Sequence, residues 1–173
     1  MSAQIDFANL SLKDTLDLAI LVEEEAKERY GEFFDQMILH HTPEAAEFFH
    51  IMVGNEAKHE AKLTARRQSL FQEAPCTVKR SQFWDVEAPD YDETRAFMTA
   101  RKAMDVALKG EIKAYDFYAG ALPHIKDPEV RSLFEELRDE EKLHQNMIRK
   151  ELGKLPPDSG IDPEVFADEP TAQ

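Results

Sequence analysis

The chain has 173 residues, 42% hydrophobic and 32% charged, with a net charge of -14; that is enough for one domain with its own core, and too acidic to seek a nucleic-acid backbone or an anionic membrane. A single cysteine, Cys76, excludes an intrachain disulfide and any CxxC zinc or iron site. No apolar run reaches the roughly 20 residues that span a bilayer, and the N-terminus, MSAQIDFANLSLKDT, lacks the basic-then-apolar order of a secretory signal, so the expectation is a cytoplasmic protein.

Four long helices are predicted. The first starts near Ser11, where SLKD has the spacing of a capping box, and runs to about His40. The second opens at Thr42-Pro43-Glu44, with a hydroxyl cap, a proline in the first turn and an early acid, and runs to about Ser69. Residues 70–90, LFQEAPCTVKRSQFWDVEAPD, lack a helical period. Trp84 is expected to anchor this segment to the helices, and Cys76 has no partner or base near it in sequence. The third helix is expected from about Asp90, where DYDE repeats the cap spacing, to Pro123. The fourth begins at Asp127-Pro128-Glu129 and ends near Gly153. Residues 154–173 read as an acidic, proline-containing tail, a surface strap or a partly disordered end.

The links set the topology. Short links join helices 1 and 2 and helices 3 and 4, so each pair forms an antiparallel hairpin. The link between helices 2 and 3 is long enough, at ~3.3 Å per extended residue, to run the length of a ~40 Å bundle. The expected fold is an all-α four-helix bundle over residues 11–153 with one long crossover between helices 2 and 3, a ferritin-like arrangement within a single domain.

One feature of helix 1 conflicts with simple amphipathicity. Leu16, Ala19, Ile20, Ala26, Tyr30, Phe34 and Met37 form an apolar stripe with a 3.6-residue period, and Glu23 stands in its middle. Glu24 and Glu25 are expected to point into water. A lone buried carboxylate costs several kcal/mol unless it is protonated, paired or bound to a metal.

The rest of the chain repeats the anomaly. EEEAKERY and EIKAYDFY share E-x-x-A-x-x-x-Y, matching Glu23, Ala26 and Tyr30 to Glu111, Ala114 and Tyr118. Helices 2 and 4 share F-x6-E-x-x-H, matching Phe49, Glu56 and His59 to Phe134, Glu141 and His144. Met104, Leu108, Glu111, Tyr115, Tyr118 and Leu122 are expected to share the apolar face of helix 3. Residues three apart share a helix face, so each Glu-x-x-His pair aims both side chains at one point. Glu56 and Glu141 stand equally far beyond the prolines that open their helices, which places all six residues at one depth.

One glutamate from each of two helices, with Glu-x-x-His from each of the other two, is the donor set of a dinuclear carboxylate site. Four carboxylates balance two divalent cations, and mixed oxygen and imidazole donors suit iron or manganese, with zinc also accommodated. A single Glu-x-x-His arises often by chance; the matched pairs at matching depth carry the reading. Tyr30 and Tyr118 have two readings, as core aromatics or as hydroxyls bonded to ligating carboxylates. His40, His41, His50 and His124 fall near helix ends or off the pattern and are read as surface, and the methionines as core filler.

Through EEEAKERY, NEAKH, GEIKAYDFY and DEEKLH the chain resembles the rubrerythrin branch of the ferritin-like superfamily over residues 11–153. The resemblance implies a non-haem diiron centre on Glu23, Glu56, His59, Glu111, Glu141 and His144, which reduces hydrogen peroxide or oxidises ferrous iron with dioxygen. It also implies an external electron donor, which no motif identifies, and a homodimer. Two departures stand out. The lone cysteine cannot supply the rubredoxin domain of rubrerythrins proper, and Ala114 stands where they place a further glutamate. The rival readings are a ferritin-type protein for iron storage or delivery, and a helical protein with a structural zinc or manganese pair.

Overall fold

A computed structural model describes residues 6–80, 86 and 98–156. Four helices fill them: α1 Leu12–Leu39, α2 Pro43–Phe71, α3 Ala100–Ala121 and α4 Pro128–Leu152, with a 3-10 turn at Leu122–His124. α1 packs along α2 and α3 along α4, and further contacts join α2 to α3 and α1 to α4. The protein is therefore an all-α, ferritin-like bundle of two hairpins. The expected role of Trp84, the residues around Asp90 and the tail beyond 156 lie outside the described residues.

The helix starts follow local chemistry. Ser11 accepts a hydrogen bond from the Asp14 amide at 3.1 Å, and its hydroxyl donates to the Asp14 carboxylate at 2.6 Å. Asp127 accepts from the amides of Glu129 and Val130 and caps α4. Two expectations need correction. Thr42 does not cap α2: its hydroxyl donates back to the Met37 carbonyl at 3.1 Å. The reason is the turn. His41 is left-handed at φ 58°, and the amides of Thr42 and His41 bond back to the carbonyls of Met37 and Ile38, a Schellman motif closing α1. The second correction concerns the helix that carries Glu111. It starts at Ala100 rather than near Asp90, because the Thr99 backbone is extended and its side chain accepts from the Lys102 amide.

The core divides into two apolar layers along the bundle. Tyr30, Phe33, Phe49, Met52, Ala107 and Ile148 belong to one. Leu16, Leu63, Ala114, Tyr118, Phe134 and Leu137 belong to the other. On every helix the matched glutamate falls between its contributions to the two layers, so the carboxylates occupy the waist. Tyr115 is not fully on this face; it is half-buried, with the Lys142 ammonium 5.7 Å from its ring centre.

α1 has a second buried face. Leu18 and Val22 pack against Val78 and Val86 of the crossover. Glu25 and Arg29 continue this face by helical spacing and are buried, 3.8 Å apart. Glu25 therefore does not point into water as expected, because helix 1 is covered on two sides.

An ion-pair cluster fastens the exit of α2. Asp17, 4% exposed, accepts from Arg67 at 2.6 Å and from Lys13 at 2.8 Å. Arg67 also donates to the carbonyls of Gln72 and Ala74, and Lys13 to that of Pro75. Burial pushes the Asp17 carboxyl up, but the hydrogen bonds from Arg67 and Lys13 outweigh it and hold it below the usual range. A carboxyl lowered on folding stabilises the fold above its unfolded pKa of about 3.9 and loses that contribution as pH falls through its folded value. Asp17→Asn is expected to lower stability by about 2 kcal/mol at neutral pH, the scale of a hydrogen bond to a charged group. In denaturant melts the difference from the parent should vanish once acid protonates Asp17; a difference that persists unchanged would reject the assignment.

Candidate metal centre

The structure brings all six predicted residues together. Glu23, Glu56, Glu111 and Glu141 are each at most 1% exposed, one from each helix. His59 turns Nδ1 inward, 3.7 Å from Glu23 Oε2 and 3.9 Å from Glu56 Oε2. His144 Nδ1 lies 2.9 Å from Glu111 Oε2. The two imidazoles stack, with centroids 4.7 Å apart and planes 8° from parallel. Donor atoms of Glu56, His59 and His144 lie within 4.8 Å of one another, as do those of Glu111, Glu141 and His144.

Both carboxylate oxygens of Glu23 and of Glu56, Glu141 Oε2 and His59 Nδ1 are buried without a hydrogen-bond partner among the described residues. Among the described residues, the lysines around the site pair on its outer edge instead: Lys27 with Glu60, and Lys62 with Glu136 and Glu140. Unpaired buried carboxylates respond by holding protons. Burial, then the charges of Glu111 and Glu23, push Glu56 well above the usual carboxylate range. Burial and Glu111 do the same to Glu141. The neighbouring Glu23 carboxylate raises the His59 pKa against the effect of burial. A set of oxygen and imidazole donors turned inward, most of them without a partner among the described residues, fits divalent cations.

The tyrosines separate. The Tyr30 hydroxyl donates to Glu111 Oε1 at 3.2 Å, so Tyr30 orients a site carboxylate. Tyr118 is fully buried, with its ring edge-on to Phe117 and Phe134. Gln145 was not expected: it is buried beside His144, and its amide donates to the Glu111 carbonyl at 3.0 Å. His40 is half-buried, and His41, His50 and His124 are exposed.

The model of the family described as Rubrerythrin matches residues 14–152. The chain belongs to the rubrerythrin family. That stretch holds all four helices but for the first two residues of α1, and every residue of the site. A crystal structure of an uncharacterized conserved protein from Magnetospirillum magnetotacticum MS-1 is similar, with 29% identity and a TM-score of 0.66, over 88% of this chain and 100% of that one. No curated protein matches. Membership of the rubrerythrin family points to a metal-binding site, and the carboxylate and histidine groups at the waist have the donors to hold a metal ion. Among the described residues, no helix is long and apolar enough to cross a membrane.

Proposed function

We propose that Glu23, Glu56, His59, Glu111, Glu141 and His144 hold two iron ions, and that the protein is a non-haem diiron oxidoreductase acting on hydrogen peroxide or dioxygen. The observation that carries this reading is the cluster of four fully buried carboxylates, in which both oxygens of Glu23 and of Glu56 and one oxygen of Glu141 have no hydrogen-bond partner among the described residues. When bound, a ferrous pair supplies the two electrons that, with two protons, convert hydrogen peroxide to two waters. Manganese or zinc would suit the same donors.

The protein's own groups prepare this chemistry. Each imidazole would have to offer an unprotonated nitrogen to a metal ion, so loading would displace the proton that Glu23 favours on His59. The protons favoured on Glu56 and Glu141 by burial leave with it. Tyr30 holds the Glu111 carboxylate in one orientation. The apolar layers exclude water from either end of the waist. Among the six residues the histidines are the most exposed, with the His59 and His144 side chains 18% and 11% accessible, so this edge is the approach we infer for a small oxidant.

A second reading, handling of ferrous iron in the ferritin manner, is favoured by Ala114. This fully buried methyl leaves each half of the chain with the same donors, two glutamates and one histidine. Mixing the anaerobically loaded ferrous protein with peroxide and, separately, with dioxygen tests both readings. Rapid ferrous oxidation by either oxidant supports the redox reading. Oxidation no faster than that of free ferrous iron with both would reject it in favour of a structural metal pair. His59→Ala and His144→Ala should each reduce bound metal from about two ions per chain toward one, because their helices bring them from opposite halves of the donor set. A variant that keeps both ions and full activity would remove that histidine from the ligand set.

A further inference from the structure

Gln145 is 3% exposed, and its amide is used at both ends. Nε2 donates to the main-chain carbonyl of Glu111 at 3.0 Å, and Oε1 accepts from Arg149 at 3.1 Å. A carbonyl only accepts and a guanidinium only donates, so the amide has one orientation that satisfies both. His144, the residue before it, contacts the carboxylate of the same glutamate at 2.9 Å. Two successive residues of α4 thus hold Glu111 at its backbone and at its side chain.

We propose that Gln145 is a positioning residue of the metal centre, which fixes the α3 main chain against α4 so that the Glu111 carboxylate and the His144 imidazole meet. The inference rests on the dinuclear reading for its effect on metal, but its geometric content holds without metal. A bare apolar contact between α3 and α4 would allow small sliding of one helix along the other. A hydrogen bond from a side chain whose far end is itself tied to Arg149 does not. Displacements near 1 Å matter at a site of this kind.

The test compares the parent with Gln145→Met, which keeps size and loses both hydrogen bonds, and with Gln145→Glu, which keeps the Arg149 partner but turns an oxygen toward the Glu111 carbonyl. Imidazole nitrogen resonances of the metal-free proteins report the His144–Glu111 contact directly. Cobalt titration of the same samples reports the affinity of the centre. The expected result is a changed His144 signal in both variants and cobalt bound about 10-fold or more weakly, the scale for residues that orient ligands. An unchanged His144 signal, with cobalt affinity at the parental value, would overturn the proposal. So would a lower melting temperature without any change at His144, which would make Gln145 a packing residue. If either variant does not fold, the other is read alone. If neither folds, Arg149→Ala, at an exposed position, releases the amide and is read in the same way. A parent that binds no cobalt would defeat the dinuclear reading, while the metal-free resonances would still decide the role of Gln145.

Discussion

Metal-free protein is expected to melt about 10–20 °C below the metal-loaded form at neutral pH, and the gap should widen as pH rises. Each ion held at a hundredfold excess over its Kd contributes about 2.7 kcal/mol, and about 5 kcal/mol shifts a chain of this size by roughly that range. The pH dependence follows from the carboxyls. Burial and the neighbouring charges raise Glu56 and Glu141 in the metal-free fold. A carboxyl raised on folding contributes stability that is complete below its unfolded pKa and is lost as pH rises through its folded value. The metal-free melting temperature should therefore fall as pH rises above about 4.3, the unfolded glutamate value, toward the raised folded values. Bound divalent cations replace the protons, so the loaded form should not show that fall. Thermal melts across this range, with and without ferrous iron or zinc, make the comparison. Coincident curves would show that the four glutamates are satisfied without metal.

The second large effect has opposite signs in the two forms. Glu56→Gln removes one of four clustered carboxylates and keeps its shape. An amide in place of the carboxylate removes the repulsion from Glu111 and Glu23 and the cost of burying a charge. The metal-free variant should therefore melt above the metal-free parent, most clearly at higher pH, where Glu56 would otherwise be charged. The same change should weaken metal binding by more than the ~10–100-fold typical of residues that only orient ligands. Stability gained where function is lost marks a site held under electrostatic strain for its ligand. A Glu56→Gln protein that melts lower without metal and still binds both ions would place Glu56 outside the site.

The site was more legible than its surroundings for a physical reason. A carboxylate on an apolar stripe violates the local pattern, and Glu23, Glu56, Glu111 and Glu141 violate it at the same depth on each helix. Local patterns also fixed the start of α4, where Asp127 and Pro128 have no competitor. They did not fix the start of the helix that carries Glu111: the DYDE spacing drew the start to Asp90, which lies outside the described residues, whereas Thr99 caps the described helix. Thr42 has the composition of a cap, but the left-handed turn at His41 sends its hydroxyl back to Met37. Residues satisfied by distant partners were invisible in one dimension. Glu25 and Arg29 are buried because helix 1 has a second covered face. Asp17 meets Arg67, 50 positions along the chain. Gln145 looks like one more polar residue beside a histidine, until α3 is set against α4 and the Glu111 carbonyl lies within its reach. Ala114 was legible as a departure from the family pattern, and it is fully buried.

The central claim is that these six side chains share a pair of metal ions. Crystals grown anaerobically with ferrous iron, with anomalous scattering measured at the iron edge, test it most directly. The account predicts a pair of anomalous peaks at the waist of the bundle, each within about 2.0–2.3 Å of carboxylate oxygens and an imidazole nitrogen from this set. Iron found only on the acidic surface, with Glu23, Glu56, Glu111 and Glu141 sharing protons at the waist, would contradict it.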